Sequence, residues 1–255
     1  MTFRSNPAVS IITPTAGRHR FLPAIARCVL SQTVHWEWLV HDDGPEPCRY
    51  MVDLCASDAR VRYFHRDAPR ASIGAKRNFL IGEARGDMIA HFDDDDYYAP
   101  HYLADMIRIK QENGAQIIKL SDFYVYAPHV DFFGYSELQP ARGMHYLVTW
   151  QNVERFMIDE GTRIGIDLMV LYGFSCVYDR RIATANAFGD VSLYEDDAFI
   201  RKAIDDGCKV IAIDDKNACC LHLIHPGSTA SSFSRYRMPA FLVSRLFPGY
   251  EGYPG

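Results

Sequence analysis

The sequence has no excess of basic charge, no long apolar run, no paired cysteines and no internal repeat. Lys and Arg number 27 against 32 Asp and Glu, a formal net charge of -5 over 255 residues. No basic field is present to draw the polyanionic backbone of a nucleic acid. No apolar stretch reaches the roughly 20 residues that span a bilayer, and the polar start MTFRSNPAV lacks the apolar core of a signal peptide. The seven cysteines, at 28, 48, 55, 176, 208, 219 and 220, form an odd set without a CxxC pair. They indicate neither a disulfide framework nor a zinc site. With no glycosylation sequon either, the expectation is a cytoplasmic protein, or one peripheral at a membrane.

What is there is ordinary in bulk and unusual in one place. An apolar fraction of 48% and a charged fraction of 23% suit a soluble globular chain, long enough for one large domain or two small ones. The unusual place is HFDDDDYYAP, His91 to Pro100, where an apolar run ends in four aspartates. Adjacent carboxylates raise one another's pKa unless positive charge sits among them, and a hard divalent cation with oxygen ligands is a suitable partner that would in turn hold phosphate. A solvated loop, its last aspartate capping the helix that Ala99-Pro100 opens, accounts for the run equally well on spacing alone. A calcium EF-hand does not fit, because Tyr98 stands where that loop needs glycine.

The chain reads as alternating strands and helices. VSIIT (Val9 to Thr13) is a buried strand stopped by Pro14, and Phe21, Leu22, Ile25, Ala26 and Val29 follow at helical spacing. WEWLVH (Trp36 to His41) is a second strand ending in the turn Asp42-Asp43-Gly44. Pro47 to Ala56 reads as a helix, VRYFH (Val61 to His65) as a third strand, and the basic segment Arg66 to Arg77 leads into a helix with Phe79, Leu80 and Ala84 on its apolar face. Met88 to Phe92 is the fourth strand, with the acidic run at its carboxyl end. In an open parallel sheet ligands gather at that edge, so the DDG turn and the aspartates can face one pocket. After a helix around Leu103 to Lys110 and a strand from Ala115, the aromatic stretch Phe123 to Tyr135 reads as antiparallel β-core or a pocket wall. A helix is expected over Gln151 to Glu160. Leu168 to Tyr178 is apolar, with Gly173 permitting a close approach. YEDD (Tyr194 to Asp197) starts a helix closed by Gly207, and Lys209 to Ile213 is expected to be the last strand.

In this order, VSIITPT, SQT, HDDG, GAKRN with its helix and Gly86-Asp87, HFDDDDYYAP, GFSCVYDRR, YEDDAFIRKAIDDG and HLIHPGS resemble the family 2 nucleotide-sugar glycosyltransferases. The resemblance runs from Val9 to about Ser228. It implies a GT-A, Rossmann-like α/β fold: a mixed, mainly parallel sheet flanked by helices in a single domain. Residues 1–100 would bind the nucleotide sugar, 101–228 would form the acceptor and catalytic half, and 229–255 a carboxyl-terminal tail. It places Pro14 and Thr15 along the nucleoside and Asp43 on the base, with Lys76 and Arg77 as diphosphate partners or simply surface charge. Asp93 and Asp94 would serve ribose and donor, and Asp95 a Mn2+ or Mg2+ ion, reading the family's DxD motif as Asp93-x-Asp95. Asp196 is the implied general base, with Asp197 a rival and Glu195 turned toward the acceptor. His225, in competition with His222, is the implied histidine near the metal. The implied activity is inverting, metal-dependent, hexosyltransferase-type transfer from a nucleoside-diphosphate sugar, UDP being the family's commonest nucleotide. The acceptor, whether glycan, lipid, protein or small molecule, is left open. A sugar nucleotidyltransferase is an alternative that TPTAGRHR matches only in part, and a sugar-nucleotide binder without turnover is another.

Overall fold

The chain crosses one large sheet from its parallel half into its antiparallel half, and the boundary between the two carries the acidic run. The structure is a computed structural model and describes residues 6–66, 69–137, 142–162, 172–229 and 231–252. β1 (Val9–Thr15) is buried along its length except at Pro14. It feeds α1 (Leu22–Leu30), which buries Leu22, Ile25, Ala26 and Val29 as one stripe and carries a proline in its first turn. The alternation continues through β2 (Trp36–Asp42), α2 (Arg49–Ser57), β3 (Val61–His65), α3 (Ile73–Glu83) and β4 (Met88–His91). These strands lie in the order β3-β2-β1-β4 and pair in parallel.

Beyond β4 come the short β5 (Tyr97–Tyr98), α4 (Tyr102–Glu112), β6 (Ile117–Ala127), β7 (Phe132–Glu137), β8 (Gly143–Val148) and β9 (Val153–Ile158). β10 (Val177–Asp179), α5 (Arg180–Ala185), α6 (Glu195–Asp205), β11 (Val210–Asp214), β12 (Cys220–Leu223), β13 (Ser232–Met238) and α7 (Leu242–Leu246) complete the chain. β10 runs antiparallel between β4 and β6, and the sheet continues as β6-β7-β13-β8-β9. β11 and β12 both run parallel to β6, and β12 also pairs antiparallel with β5.

Two expectations change. The helix expected over Gln151 to Glu160 is instead β9, antiparallel to β8 with Val153 opposite Val148 and Ile158 opposite Gly143. Pairing with a neighbouring strand overrides a local pattern that only weakly favours either state. Nor is Lys209 to Ile213 the last strand: β12 follows, and β13 joins β7 to β8 from within the stretch expected to be a tail. Of the apolar segment Leu168 to Tyr178, residues 168–171 lie outside the described residues. The core forms on both faces of the sheet. Trp36, Trp38, Phe92, Tyr98 and Tyr102 pack with α1 and α4 on one side, and Ile12, Leu39, Tyr178 and Phe199 pack with α3, α5 and α6 on the other.

Candidate functional site

The four aspartates leave β4 on a turn that is pinned from beneath. The Asp93 amide donates to the Tyr98 hydroxyl at 3.0 Å, and that hydroxyl donates to the Phe174 carbonyl at 2.8 Å. His91, fully within the core, donates from Nδ1 to the Gly173 carbonyl at 3.0 Å, leaving Nε2 to accept from the Tyr178 hydroxyl at 3.0 Å. Burial holds this ring's pKa far below the ordinary histidine value, in keeping with a neutral tautomer.

From that base the carboxylates diverge. Asp96 turns inward and accepts from His222 Nδ1 at 3.0 Å and the Leu223 amide at 2.9 Å. His222 stacks on Phe174 with centroids 4.8 Å apart. Burial opposes charge on this imidazole, but Asp96 outweighs it and raises its pKa. Asp94 accepts from the Thr15 hydroxyl at 2.5 Å and from Arg18 at 3.1 Å. Burial first, and the neighbouring Asp95 second, push its pKa up to about 8. Asp93 is half-exposed and 3.8 Å from Arg77, and burial lifts its pKa to about 7. Asp95 faces Arg18 and His225 Nε2, the latter at 2.9 Å. Burial opposes its charge too, yet those two partners hold its pKa well below the ordinary value.

The donor chemistry suits a hard divalent cation. Ligand oxygens of Asp93, Asp95 and Asp96 lie within 4.8 Å of one another, but Asp96 is committed to His222 and Leu223. His225 Nδ1 is 2.9 Å from the Pro226 carbonyl, which only accepts, so Nδ1 carries the proton. His225 Nε2 lies 2.9 Å from both Arg18 Nη2, which only donates, and Asp95 Oδ2, which only accepts. His225, its Nδ1 fixed by a carbonyl, touches this carboxylate cluster through Asp95, and oxygen donors with an oriented imidazole beside them are donor types that suit such a cation. Asp93, Asp95 and His225 are the residues that fit it.

On the amino side, Asp42 organises the loop rather than the ligand. It accepts from the amides of Gly17 and Gly44, the Tyr63 hydroxyl and His19. Pro14 and Thr15 end β1 at the same edge. Asp43 receives Lys76 Nζ at 2.5 Å and the Ala71 amide at 2.7 Å. That ammonium also donates to the Thr15 carbonyl at 2.7 Å. Lys76 and Arg77 are therefore buried structural cations, which corrects the surface-charge alternative. The sequence reading did not single out Arg18, His19 or Tyr63 as site residues. Only the basic letters of TPTAGRHR signalled the first two.

On the carboxyl side, Glu195 is buried against Arg77 at 2.5 Å, so it faces the protein interior and not an acceptor. Asp197 makes a helix-surface pair with Arg201, with Arg201 Nε at 2.9 and 3.1 Å from its two oxygens. Asp196 is half-buried and packs on Gly173, where a Cβ would stand 2.5 Å from its Oδ2. Gly173 is expected from the sequence to admit a ligand or backbone; what approaches it closely is the Asp196 side chain. The segment leading to α6 is gripped by one face of α3. Gly74 donates to the Val191 carbonyl at 3.1 Å, and Asn78 exchanges hydrogen bonds with the Phe188 backbone at 2.8 and 2.9 Å. A cavity of about 230 Å³ opens beside the acidic run, lined by Phe21, Cys28, Tyr97 and Tyr250 among others.

Residues 10–183 match the family model described as glycosyl transferase family 2. An uncharacterised glycosyltransferase of Rickettsia felis is 30% identical over 136 residues, covering 49% of this chain and 22% of that protein. The uncharacterised protein y4gI of Sinorhizobium fredii is 30% identical over 124 residues, covering 46% of this chain and 14% of that protein. The chain thus spans less than a quarter of the length of either relative. Among solved structures, S. aureus TarS 1-349 in complex with UDP-GlcNAc superposes with a TM-score of 0.64 at 16% identity, covering 86% of this chain and 59% of that one. Mannosyltransferase PcManGT from Pyrobaculum calidifontis, in complex with GDP-Man and Mn2+, gives a TM-score of 0.60 at 13% identity, covering 89% and 59%. With the sequence model matched over residues 10–183 and the fold shared with these transferases, the chain belongs to glycosyl transferase family 2 and carries the GT-A fold.

Proposed function

We propose that this domain transfers a sugar from a nucleoside-diphosphate sugar to an acceptor hydroxyl with inversion, using Mn2+ or Mg2+. The observation that carries the reading is the convergence of the Asp95 carboxylate and His225 Nε2, 2.9 Å apart, beside half-exposed Asp93. Asp93, Asp95 and His225 would hold the cation, whose chemistry is to neutralise charge developing on the departing diphosphate. Pro14, Thr15 and Asp43 line the nucleoside side, and Asp94 reaches the ribose. Lys76 and Arg77 act at one remove, Lys76 by fixing Asp43 and Arg77 by lying between Asp93 and Glu195.

Asp196 takes the proton from the acceptor hydroxyl as its oxygen bonds to the anomeric carbon and the bond from that carbon to the diphosphate breaks. Its half-exposed place on Gly173 supports it over Asp197, which Arg201 holds on the helix surface. TarS is seen in complex with UDP-GlcNAc and PcManGT in complex with GDP-Man and Mn2+, which supports a nucleotide-sugar donor and a metal here. UDP is the first nucleotide to test. No helix among the described residues is long and apolar enough to cross a membrane.

Calorimetric titration with UDP, GDP, dTDP and CMP, with Mn2+ and then with chelator, tests the reading. One nucleotide is expected to bind in a metal-dependent way, and Asp95→Asn to abolish that dependence. Asp196→Asn is expected to keep nucleotide affinity while transfer falls about 10²- to 10⁴-fold. Absence of nucleotide binding under every condition would sink the proposal.

A further inference from the structure

We propose that Arg18 is the site's built-in counter-cation, a positioning residue that yields its place only when a donor diphosphate receives it, so that metal and nucleotide bind as a coupled pair. The inference rests on the metal-dependent transferase reading and concerns the order in which that site fills.

The geometry is specific. Arg18 Nη1 lies 3.1 Å from Asp94 Oδ1, while Nη2 contacts Asp95 Oδ2 and lies 2.9 Å from His225 Nε2. One guanidinium nitrogen therefore sits against the two atoms that the cation site would use. A divalent ion coordinated by those atoms at about 2.0–2.3 Å would overlap or closely crowd Nη2. Two positive groups cannot share that oxygen face, so Arg18 would have to leave it for a cation to be held there.

The loop that carries Arg18 is built to release the side chain and keep its own shape. Gly17, at φ +66°, donates to Asp42 Oδ1 at 2.8 Å, and His19 Nε2 is 3.0 Å from Asp42 Oδ2. The loop is anchored to Asp42 on both sides of residue 18, by the amide of Gly17 and the side chain of His19. The Arg18 side chain itself retains 32% exposure and lies over the Phe21 ring at 4.8 Å, so it has a path outward. Leaving for water forfeits its charge-assisted contacts, whereas leaving for a diphosphate replaces them with contacts of the same class. By linkage, a nucleotide that takes Arg18 strengthens metal binding, and the metal strengthens nucleotide binding by the same factor.

Electron paramagnetic resonance of free Mn2+ measures this without turnover. Mn2+ is titrated into the whole chain as wild type, Arg18→Ala and Arg18→Lys, each alone and with UDP or GDP, with thermal unfolding checked in parallel. Wild type is expected to bind Mn2+ weakly alone and more tightly with nucleotide. Arg18→Ala is expected to bind Mn2+ alone about tenfold more tightly, and to lose most of the nucleotide-induced gain. Arg18→Lys, which keeps the charge but cannot span Asp94, Asp95 and His225, should fall between them, and it carries the test if the alanine variant does not fold. Equal or weaker Mn2+ binding by the Arg18 variants alone overturns the inference and leaves the transferase reading standing. If no protein binds Mn2+ with or without nucleotide, both are overturned.

Discussion

Asp42 accepts four hydrogen bonds, from Gly17, Gly44, Tyr63 and His19, while wholly buried. Burial alone would raise its pKa, but together these donors outweigh burial and hold it below the ordinary 3.8. A lowered folded-state value means that the unfolded chain binds the proton more readily. Its stabilisation is therefore present above the unfolded value and fades as pH falls through the folded one. Urea unfolding should show stability dropping as pH falls below about 4, and Asp42→Asn should flatten that limb. At neutral pH the variant should lose about 1–3 kcal/mol, because the amide must donate where the carboxylate accepted. A limb identical to wild type would show that Asp42 does not carry this term. The role was hard to read in the sequence, where Asp42 figured only as the neighbour of Asp43. Apart from Gly44, its partners come from the loop after β1 and from Tyr63 on β3, separations at which no local pattern operates.

At the scale of elements, α3 links the two halves of the site. Its apolar residues were visible from their spacing, but Gly74, Arg77 and Asn78 form a working face of the helix. They meet the segment before α6 by hydrogen bonds and by the Arg77–Glu195 pair. The spacing is helical, but the residues are small or polar, so hydrophobic periodicity passes over them. Two glycines of this helix give opposite predictions. A Cβ on Gly74 would stand 1.8 Å from the Gly189 carbonyl oxygen, whereas one on Gly82 meets nothing within 4 Å. Gly74→Ala should destabilise by about 1–3 kcal/mol through overpacking and loosen Glu195 and Asp196. Gly82→Ala should stabilise by up to about 1 kcal/mol. Denaturant midpoints of the two variants check both signs, and a neutral Gly74→Ala would mean that the contact between α3 and the Gly189 segment is soft.

Across the whole molecule, legibility followed contact range. β1 to β4 and their helices could be read because each segment declares itself by its own periodicity and turn residues. The antiparallel half could not, since β9 is a strand through its register with β8, and β13 through its pairing with β7 and β8. The same asymmetry bears on stability. β1 is buried along nearly its whole length and is flanked by β2 and β4, whereas among the described residues β9 is an edge strand with only Ile158 buried and only β8 beside it. Local opening is cheapest where few buried contacts are lost. Hydrogen exchange followed by mass spectrometry should find β9 amides exchanging through local opening and β1 amides only near global unfolding. Because the acidic run is tied to β10, β12 and the loop after β1, and not to β9, Mn2+ with the cognate nucleotide should slow exchange around residues 91–98 and leave the β9 peptide unchanged. Equal protection of β9 and β1 would contradict the edge-strand argument, and a nucleotide effect confined to β9 would move the binding site away from the aspartates.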